Sequence, residues 1–135
     1  MKKQSRKTIQ NRCDKNWSII VRNQAGNKCQ MCGKDEGVLN AHHIISRKHK
    51  PSRWLLYNGV ALCYRCHMFK AHGDDLIEQQ EWYYFLMDTL LRQYEQTYGV
   101  NITKLWLDPD FRSTKPLPID KVREIDEALK LAVSK

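Results

Sequence analysis

Four cysteines in two closely spaced pairs are the first residues of this sequence that could do chemistry. Cys29 and Cys32 form one Cys-x-x-Cys pair, and Cys63 and Cys66 form the second. A gap of two residues lets both thiolates of a pair reach one ion, and four thiolates suit a tetrahedral structural zinc. The fifth cysteine, Cys13, stands alone, and an odd count argues against a disulfide framework.

Three histidines lie in the segment between the two cysteine pairs, and the other two lie shortly after the second pair. The 30 residues between Cys32 and Cys63 are more than a compact zinc ribbon needs, so a substantial segment is expected to loop out there. All five histidines lie between positions 42 and 72, and His42 and His43 are adjacent. Histidines scattered along a chain are ordinarily surface or core residues. Five histidines close to the ligands of one predicted zinc site are better explained as functional residues.

Short elements of secondary structure are expected to position these side chains. Residues 38–45 are predicted as one strand and residues 59–62 as a second, with a basic loop over 46–53 after the first. A helix is predicted to begin at Cys66 or His67 and to end near Ala71, because Gly73 terminates it. The second cysteine pair therefore links a strand to a helix.

The order and spacing of these residues resemble the HNH endonuclease family, in its zinc-knuckle subtype. The resemblance covers residues 29–72 and is carried by Cys29-x-x-Cys32, His42-His43-Ile44, Asn58 and Leu62-Cys63-x-x-Cys66-His67. A weaker similarity, carried by Arg53-Trp54, by Asn58 and by the small size of the chain, is to recombination nucleases of lambda-like phages.

The resemblance implies a small α+β fold, with a ββα-metal core on the four-cysteine zinc site and flanking N-terminal and C-terminal helices. It also implies a DNA endonuclease that hydrolyses phosphodiester bonds with one metal ion and leaves 5′-phosphate and 3′-hydroxyl ends. His42 and His67 would hold that ion. His43 would be the general base, and Asn58 would orient it through its side-chain amide.

Two geometric questions follow from this assignment. His72 is a candidate third ligand, as in colicin-type nuclease domains, but a regular helix places Ala71 beside His67 and turns His72 away. His72 could reach the ion only if the helix unwinds near Gly73. His42 and His43 would point to opposite faces of a regular strand, and they can share a site only if the strand ends or bulges there.

The ligand types bear on the identity of the metal ions. Zn²⁺ is expected in the cysteine site. Many members of the family place Asp where His42 stands, and imidazole in place of carboxylate weakens the preference for Mg²⁺. The catalytic ion is therefore expected among Mn²⁺, Ni²⁺, Mg²⁺ and Zn²⁺, with Mn²⁺ or Ni²⁺ supporting at least as much activity as Mg²⁺.

Charge is distributed unevenly along the chain, whose net charge is +8. Residues 1–72 carry 15 Lys and Arg against 3 Asp and Glu, whereas residues 73–135 carry 8 against 12. A basic half and a mildly acidic half predict a polyanion partner on one face. Within the basic loop, four side chains are predicted to contact DNA phosphates: Arg47, Lys48, Lys50 and Arg53.

The remaining segments are predicted to support this domain. Residues 1–13 are interpreted as a basic flexible arm, and residues 14–73 as the nuclease domain, which opens with a helix capped by Asp14 with Trp17 in its core. Residues 74–135 are predicted to form a helical extension. It holds one long helix over 76–98 and a final helix from Asp120, whose apolar face could pack on the domain or pair two copies of the chain.

Two other functions are compatible with parts of the pattern. A zinc-dependent DNA-binding protein without catalysis would share the cysteines and the charge, but it has no need of His42, His43, Asn58 and His67. A junction-selective recombination nuclease would use dimerised C-terminal helices to present two active sites. The sequence shows no signal peptide and no membrane-spanning stretch, so a cytoplasmic protein is expected, with a phage-encoded origin as one option.

Overall fold

A two-stranded antiparallel sheet forms the centre of the computed structural model, which describes residues 3–135. Strand β1 (Leu39–His43) pairs with β2 (Gly59–Cys63), so that His42 lies opposite Val60 and His43 opposite Gly59. A π-helix, Cys66–Ala71, follows β2. Two strands and a helix on a four-cysteine cluster confirm the predicted α+β fold. β1 is shorter than predicted, because the chain leaves the sheet directly after His43.

Helices cover both faces of β2, and all five residues of this strand are buried. On one face Val60 and Leu62 belong to a cluster that we call the sheet core, together with Cys29, Cys63, Cys66, Trp82, Leu86, Leu90, Leu91 and Ile102. On the other face Gly59 lies against Trp17 and Val21 of helix α1 (Arg6–Gln24). Successive residues of a strand alternate between its faces, so the two histidines of β1 also diverge.

Helix α1 corrects the prediction of a flexible arm over residues 1–13. The helix begins at Arg6, where the Ser5 hydroxyl accepts a hydrogen bond from the Thr8 N–H. Its buried residues recur at helical spacing and pack on the last helix and on Trp54, in a cluster that we call the helix core: Ile9, Cys13, Trp17, Ile20, Val21, Trp54, Val122 and Leu129. Asp14 therefore lies within the helix and does not cap it, while Lys2 of the predicted arm lies outside the described residues.

The helices after residue 75 follow the predicted order, with two departures. The predicted long helix consists of α2 (Leu76–Tyr84), a second π-helix (Phe85–Leu90) and α3 (Leu91–Tyr98), and it ends at Gly99 with a φ of 69°. A short helix not predicted from the sequence, α4 (Ile102–Trp106), comes next. None of the helices in residues 3–135 has the length and apolarity needed to cross a membrane.

The last helix, α5 (Ile119–Val133), uses its apolar face within the chain. Val122 and Leu129 are buried against α1, and Ile125 and Ala132 pack around them. This face is therefore not available for pairing two copies, which corrects the predicted dimerisation as far as α5 is concerned. On α2 and the adjoining π-helix, large apolar side chains remain exposed: Leu76, Ile77, Tyr83, Tyr84 and Met87.

An ion pair joins α1 to α5 inside the helix core. Arg12 donates from Nε to Oδ1 of Asp126 at 3.0 Å and from Nη2 to Oδ2 at 2.7 Å. The side chain of Asp126 is 4 % exposed and that of Arg12 is 27 % exposed. The guanidinium hydrogen bond lowers the pKa of Asp126 against the opposing effect of burial. The pair thus stabilises the fold as long as Asp126 is ionised.

Replacing this carboxylate should destabilise the protein. Asp126→Asn leaves the Arg12 charge half-buried without its partner, so we expect the free energy of unfolding at pH 7 to fall by about 2 kcal/mol. Because the folded pKa of Asp126 is lowered, its contribution is present above the unfolded pKa of about 3.9 and is lost as pH falls further. Urea unfolding should therefore show the difference between native and variant shrinking below about pH 4.

A suitable control is Asp120→Asn on the same helix. Asp120 pairs with Arg123 but its side chain is 92 % exposed, so this variant should change the stability by less than about 0.5 kcal/mol. Equal destabilisation by the two variants would show that the Arg12–Asp126 pair has no special role in joining α1 to α5.

Candidate active site

The two cysteine pairs meet at one end of the sheet. The four Sγ atoms all lie within 4.8 Å of one another. Cys63 is the last residue of β2 and Cys66 the first residue of the π-helix, whereas Cys29 and Cys32 lie in the turn before β1. Cys29, Cys63 and Cys66 are buried, and Cys32 is exposed. The cluster therefore ties the strand and the site-bearing helix to the preceding turn.

The geometry of this cluster fits a tetrahedral zinc ion. The Sγ atoms of Cys32 and Cys63 are 3.7 Å apart, close to the ~3.8 Å edge of a tetrahedron with Zn–S bonds of about 2.3 Å. In each pair the N–H of the second cysteine, Cys32 or Cys66, donates to the first sulfur at 3.5 Å. Hydrogen bonds of this kind favour the thiolate, and those at Cys29 lower its pKa to about 7 although burial opposes them.

Three histidines form a second cluster. Nitrogen atoms of His42, His67 and His72 lie within 4.8 Å of one another. The ring centroids are 5.2 Å apart for His42 and His67, 4.7 Å for His42 and His72, and 4.6 Å for His67 and His72. Imidazole nitrogens at such separations can share one divalent ion, and three ligands leave coordination positions for water and phosphate.

The π-helix explains why His72 joins this cluster. The N–H of His72 bonds to the carbonyl oxygen of His67 at 3.0 Å, five residues earlier in the chain. This wider turn places residue 72, not residue 71, over residue 67. His72 was predicted to reach the ion only if the helix departs from regular α-helical spacing, and the departure is a π turn rather than unwinding near Gly73. Single π turns are frequent at functional sites.

The electrostatics of His42 and His67 favour neutral rings. Burial, with smaller contributions from the neighbouring His72 and His67, lowers the pKa of His42 to about 3. Burial also lowers the pKa of His67, with a smaller contribution from His72. A metal ion binds the neutral imidazole, so the surroundings hold both side chains in the form that a ligand requires.

His43 lies on the other face of β1, and the strand ends there. Its ring stacks on the indole of Trp17, with centroids 3.9 Å apart and planes inclined by 8°. Its Nε2 is 2.9 Å from the carbonyl oxygen of Arg53. A carbonyl accepts only, so Nε2 carries the proton and Nδ1 keeps its lone pair. His42 and His43 line the same cleft although they leave the strand on opposite faces.

Asn58 does not have the predicted contact with His43. Its Oδ1 accepts from the Ile45 N–H at 2.7 Å, and its Nδ2 donates to the carbonyl oxygens of Ile45 and Ser52, each at 3.0 Å. These bonds engage the amide oxygen and both amide N–H donors, and they hold the two ends of the loop 45–52 together. Asn58 is fully buried, so its role is to fix the loop that leads to Arg53.

The four predicted DNA contacts divide into two groups. Arg47 lines the cleft beside His42 and His43, and Lys48 and Lys50 lie on the same loop. Arg53 is different, because its guanidinium makes two hydrogen bonds to the carboxylate of Asp14, at 3.1 and 2.7 Å. Its prediction as a phosphate contact is therefore corrected: the side chain has a structural ion pair, and its carbonyl faces His43.

The cleft that contains both His42 and His43 has a described lining with positive charge and no negative charge. Its lining in the described structure contains Arg47 and four histidines but no acidic side chain: Ala41, His42, His43, Ile44, Ser46, Arg47, His67, Ala71 and His72. A cleft with one positive side chain, metal-binding nitrogens and no carboxylates suits an anionic group such as a phosphodiester.

Sequence reasoning missed two residues that support this site, Trp17 by direct contact with His43 and Asp14 through Arg53. Trp17 was expected in the core, which is correct for its burial but omits its contact with His43. Asp14 was expected at the start of a helix, yet it binds Arg53 and accepts from the Trp54 Nε1 at 2.8 Å. A signal was available in the spacing of Ile9, Cys13 and Trp17, which marks one continuous helix.

Comparison with known proteins identifies the segment that holds this site. The family model described as HNH endonuclease matches residues 29–73. Both ligand clusters, His43 and Asn58 fall within that segment, and Asp14 and Trp17 fall outside it. No curated protein and no solved structure gives a significant match.

Proposed function

Because residues 29–73 form an HNH endonuclease domain, we propose that this chain is a metal-dependent DNA endonuclease with a one-metal mechanism. The observation that carries the proposal is the pairing of a three-histidine cluster with a fourth histidine whose ring is fixed by stacking and by a carbonyl oxygen. Binding DNA requires neither feature, whereas hydrolysis of a phosphodiester needs both an electrophile and a base.

In this proposal His42, His67 and His72 hold the catalytic ion. A divalent ion bound there would polarise the phosphate and stabilise the negative charge on the leaving oxygen. The burial that lowers the pKa of His42 and His67 keeps these rings neutral for that role. The π-helix supplies two of the three ligands, so its register sets the geometry of the site.

His43 acts on the attacking water. Its Nδ1 accepts a proton as the water oxygen forms a bond to phosphorus, and the bond from phosphorus to the 3′-oxygen breaks. The leaving 3′-oxygen takes a proton from solvent water, and the imidazolium later returns its proton to solvent. The imidazolium that forms retains the Nε2–H bond to the Arg53 carbonyl, which stabilises the positive charge. Arg47, in the lining of the same cleft, positions the phosphate. The products carry a 5′-phosphate and a 3′-hydroxyl.

A plasmid-nicking assay tests the function and the product chemistry together. The purified chain with Mn²⁺ should convert supercoiled plasmid to the nicked form, and DNA ligase should reseal those nicks, because ligase requires adjacent 5′-phosphate and 3′-hydroxyl ends. Absence of nicking with every divalent ion would support a DNA-binding protein without catalysis. Nicks that ligase cannot seal would contradict the proposed direction of bond cleavage.

The ligand set predicts the order of metal preference. Three imidazoles and no carboxylate favour divalent transition-metal ions over Mg²⁺, so we expect nicking with Mn²⁺ or Ni²⁺ to be at least as fast as with Mg²⁺. The assay compares initial rates across a metal series after the chain has been stripped of loosely bound ions. His42→Asp is the informative variant, since a carboxylate should move the preference toward Mg²⁺. Activity with Mg²⁺ alone in the native chain would contradict the three-histidine assignment.

A further inference from the structure

The ring of His43 is held by a residue that lies outside the HNH segment. Trp17 of α1 is 2 % exposed, and its indole lies parallel to the His43 ring at 3.9 Å. The indole N–H donates to the carbonyl oxygen of Leu55 at 3.0 Å, which fixes its orientation relative to the loop that leads into β2. The stacking partner of the candidate base is therefore itself anchored.

Gly59 explains how an indole can come so close to the sheet. It lies opposite His43 in the strand register. A Cβ atom at position 59 would come within 2.7 Å of Cζ2 of Trp17 and within 2.5 Å of Cγ2 of Val21. The absence of a side chain there leaves the space that Trp17 fills beside His43.

Asp14, one helical turn before Trp17, fixes the other contact of His43. Its two carboxylate oxygens accept from Nε and Nη2 of Arg53 at 3.1 and 2.7 Å. The carbonyl oxygen of the same Arg53 is the acceptor for His43 Nε2 at 2.9 Å. Asp14 and Trp17 are three residues apart and so share one face of α1. Trp17 on this face stacks on the ring of His43, and Asp14 fixes Arg53, whose carbonyl oxygen accepts from the ring nitrogen Nε2.

We propose that Asp14 and Trp17 are positioning residues for His43, so that the catalytic unit of this chain is the HNH segment together with helix α1. The inference rests on the proposed function, in which His43 is the base. Stacking and the Nε2 bond together restrict both torsions of the His43 side chain. A base that is misplaced by about 1 Å can lose about 100-fold in rate, so the effect should appear in kcat.

Two substitutions of Trp17 separate stacking from simple packing. Trp17→Phe retains an aromatic plane, and Trp17→Leu retains apolar volume without one. We expect Trp17→Leu to lower kcat for plasmid nicking by about 10- to 100-fold with KM little changed, and Trp17→Phe to keep most of the native kcat. An equal decrease in kcat in the two variants, or an increase in KM with kcat unchanged, would overturn the role of stacking.

Asp14→Asn tests the second contact and covers the case in which Trp17→Leu fails to fold. The substitution keeps the shape of the side chain but removes the charge that holds Arg53, and we expect kcat to fall about tenfold. An unchanged kcat in folded Asp14→Asn would overturn the role assigned to Asp14. Asp126→Asn is the matched control, because it breaks another ion pair of α1 that has no contact with His43. It should lower stability and leave kcat unchanged.

The ring protons of His43 give a readout that does not depend on activity. Stacking on an indole shifts them upfield in the proton spectrum, and this shift should be lost in Trp17→Leu, retained in part in Trp17→Phe and kept in Asp126→Asn. A native spectrum without the shift would overturn the proposal. If His43→Ala cuts DNA at the native rate, His43 is not the base and the proposed mechanism fails. If His43→Ala has a strongly lowered kcat but the Trp17 and Asp14 variants have native kcat, only the present inference fails.

Discussion

Replacing His43 with alanine should lower kcat for DNA nicking by about 10²- to 10⁴-fold, the range that a general base contributes. The substitution removes the ring whose Nδ1 would accept the proton of the attacking water. It leaves the cysteine cluster, His42, His67 and His72 unchanged, so the variant should bind zinc and DNA as the native chain does. Initial rates on supercoiled plasmid, with binding measured separately by fluorescence anisotropy, give the comparison.

Two further variants make this result specific. His49→Ala removes another histidine of the same segment, one that bonds through Nδ1 to the carbonyl oxygen of Arg112, and it should still nick the plasmid. His43→Gly leaves a space over Trp17 that added imidazole can enter, and imidazole should restore part of the rate. Equal nicking by the native chain and His43→Ala would remove His43 as the base and leave the mechanism proposed here without support.

The parts of the site that could be predicted from sequence depend on local spacing. A two-residue gap brings Cys29 near Cys32 and Cys63 near Cys66 whatever the rest of the chain does. The pair His42-His43, followed by a histidine directly after the second cysteine pair, then locates two members of the three-histidine cluster. Strand β2 follows for a similar reason, because Gly59–Cys63 is a short apolar run that leads into the second cysteine pair. Strand β1 follows as the residues that lead into His42-His43.

His72 shows where local spacing fails. The sequence from Cys66 to Ala71 has no feature that distinguishes a π turn from an α turn, and the two differ by one residue in which side chain lies over His67. Helix α2 packs against this turn and pairs with it through Arg65–Glu78 and Lys70–Glu81. Tertiary contacts of this kind can select a rare helical register, and they are not visible in the periodicity of the turn itself.

The surroundings of His43 could not be predicted because they depend on contacts between residues far apart in the chain. Asp14 and Arg53 are separated by 39 positions, and the carbonyl of Arg53 reaches a histidine 10 positions earlier. An arginine in a basic loop near a catalytic pair is ordinarily interpreted as a phosphate contact. The pairing of Arg53 with Asp14 was not expected, because the helix was predicted to begin at Asp14. That prediction assigned Ile9 and Cys13 to a flexible arm and only Trp17 to the helix.

Breaking the four-cysteine cluster should unfold the HNH segment, residues 29–73. Cys63→Ser removes one ligand at the point where β2 ends, and Cys66, three residues later, begins the helix that carries His67 and His72. A four-cysteine zinc site contributes about 10–16 kcal/mol in small zinc domains, which is comparable to or larger than the total stability of a domain of this size, about 5–15 kcal/mol. We therefore expect the variant to bind no zinc, to lose cooperative thermal unfolding and to lose nicking.

Cys13→Ser separates this effect from the general loss of a buried cysteine. Cys13 is fully buried, but its Sγ lies 4.0 Å from Asp126 Oδ1 and outside the four-cysteine cluster. This variant should keep one zinc per chain and its nicking activity. A reducing agent should also leave the native chain unchanged, because sulfur atoms 3.7 Å apart are not joined by a disulfide. Zinc retained at the native stoichiometry in Cys63→Ser, or stability lost on reduction, would contradict a closed zinc site and favour a role for these thiols in disulfide chemistry.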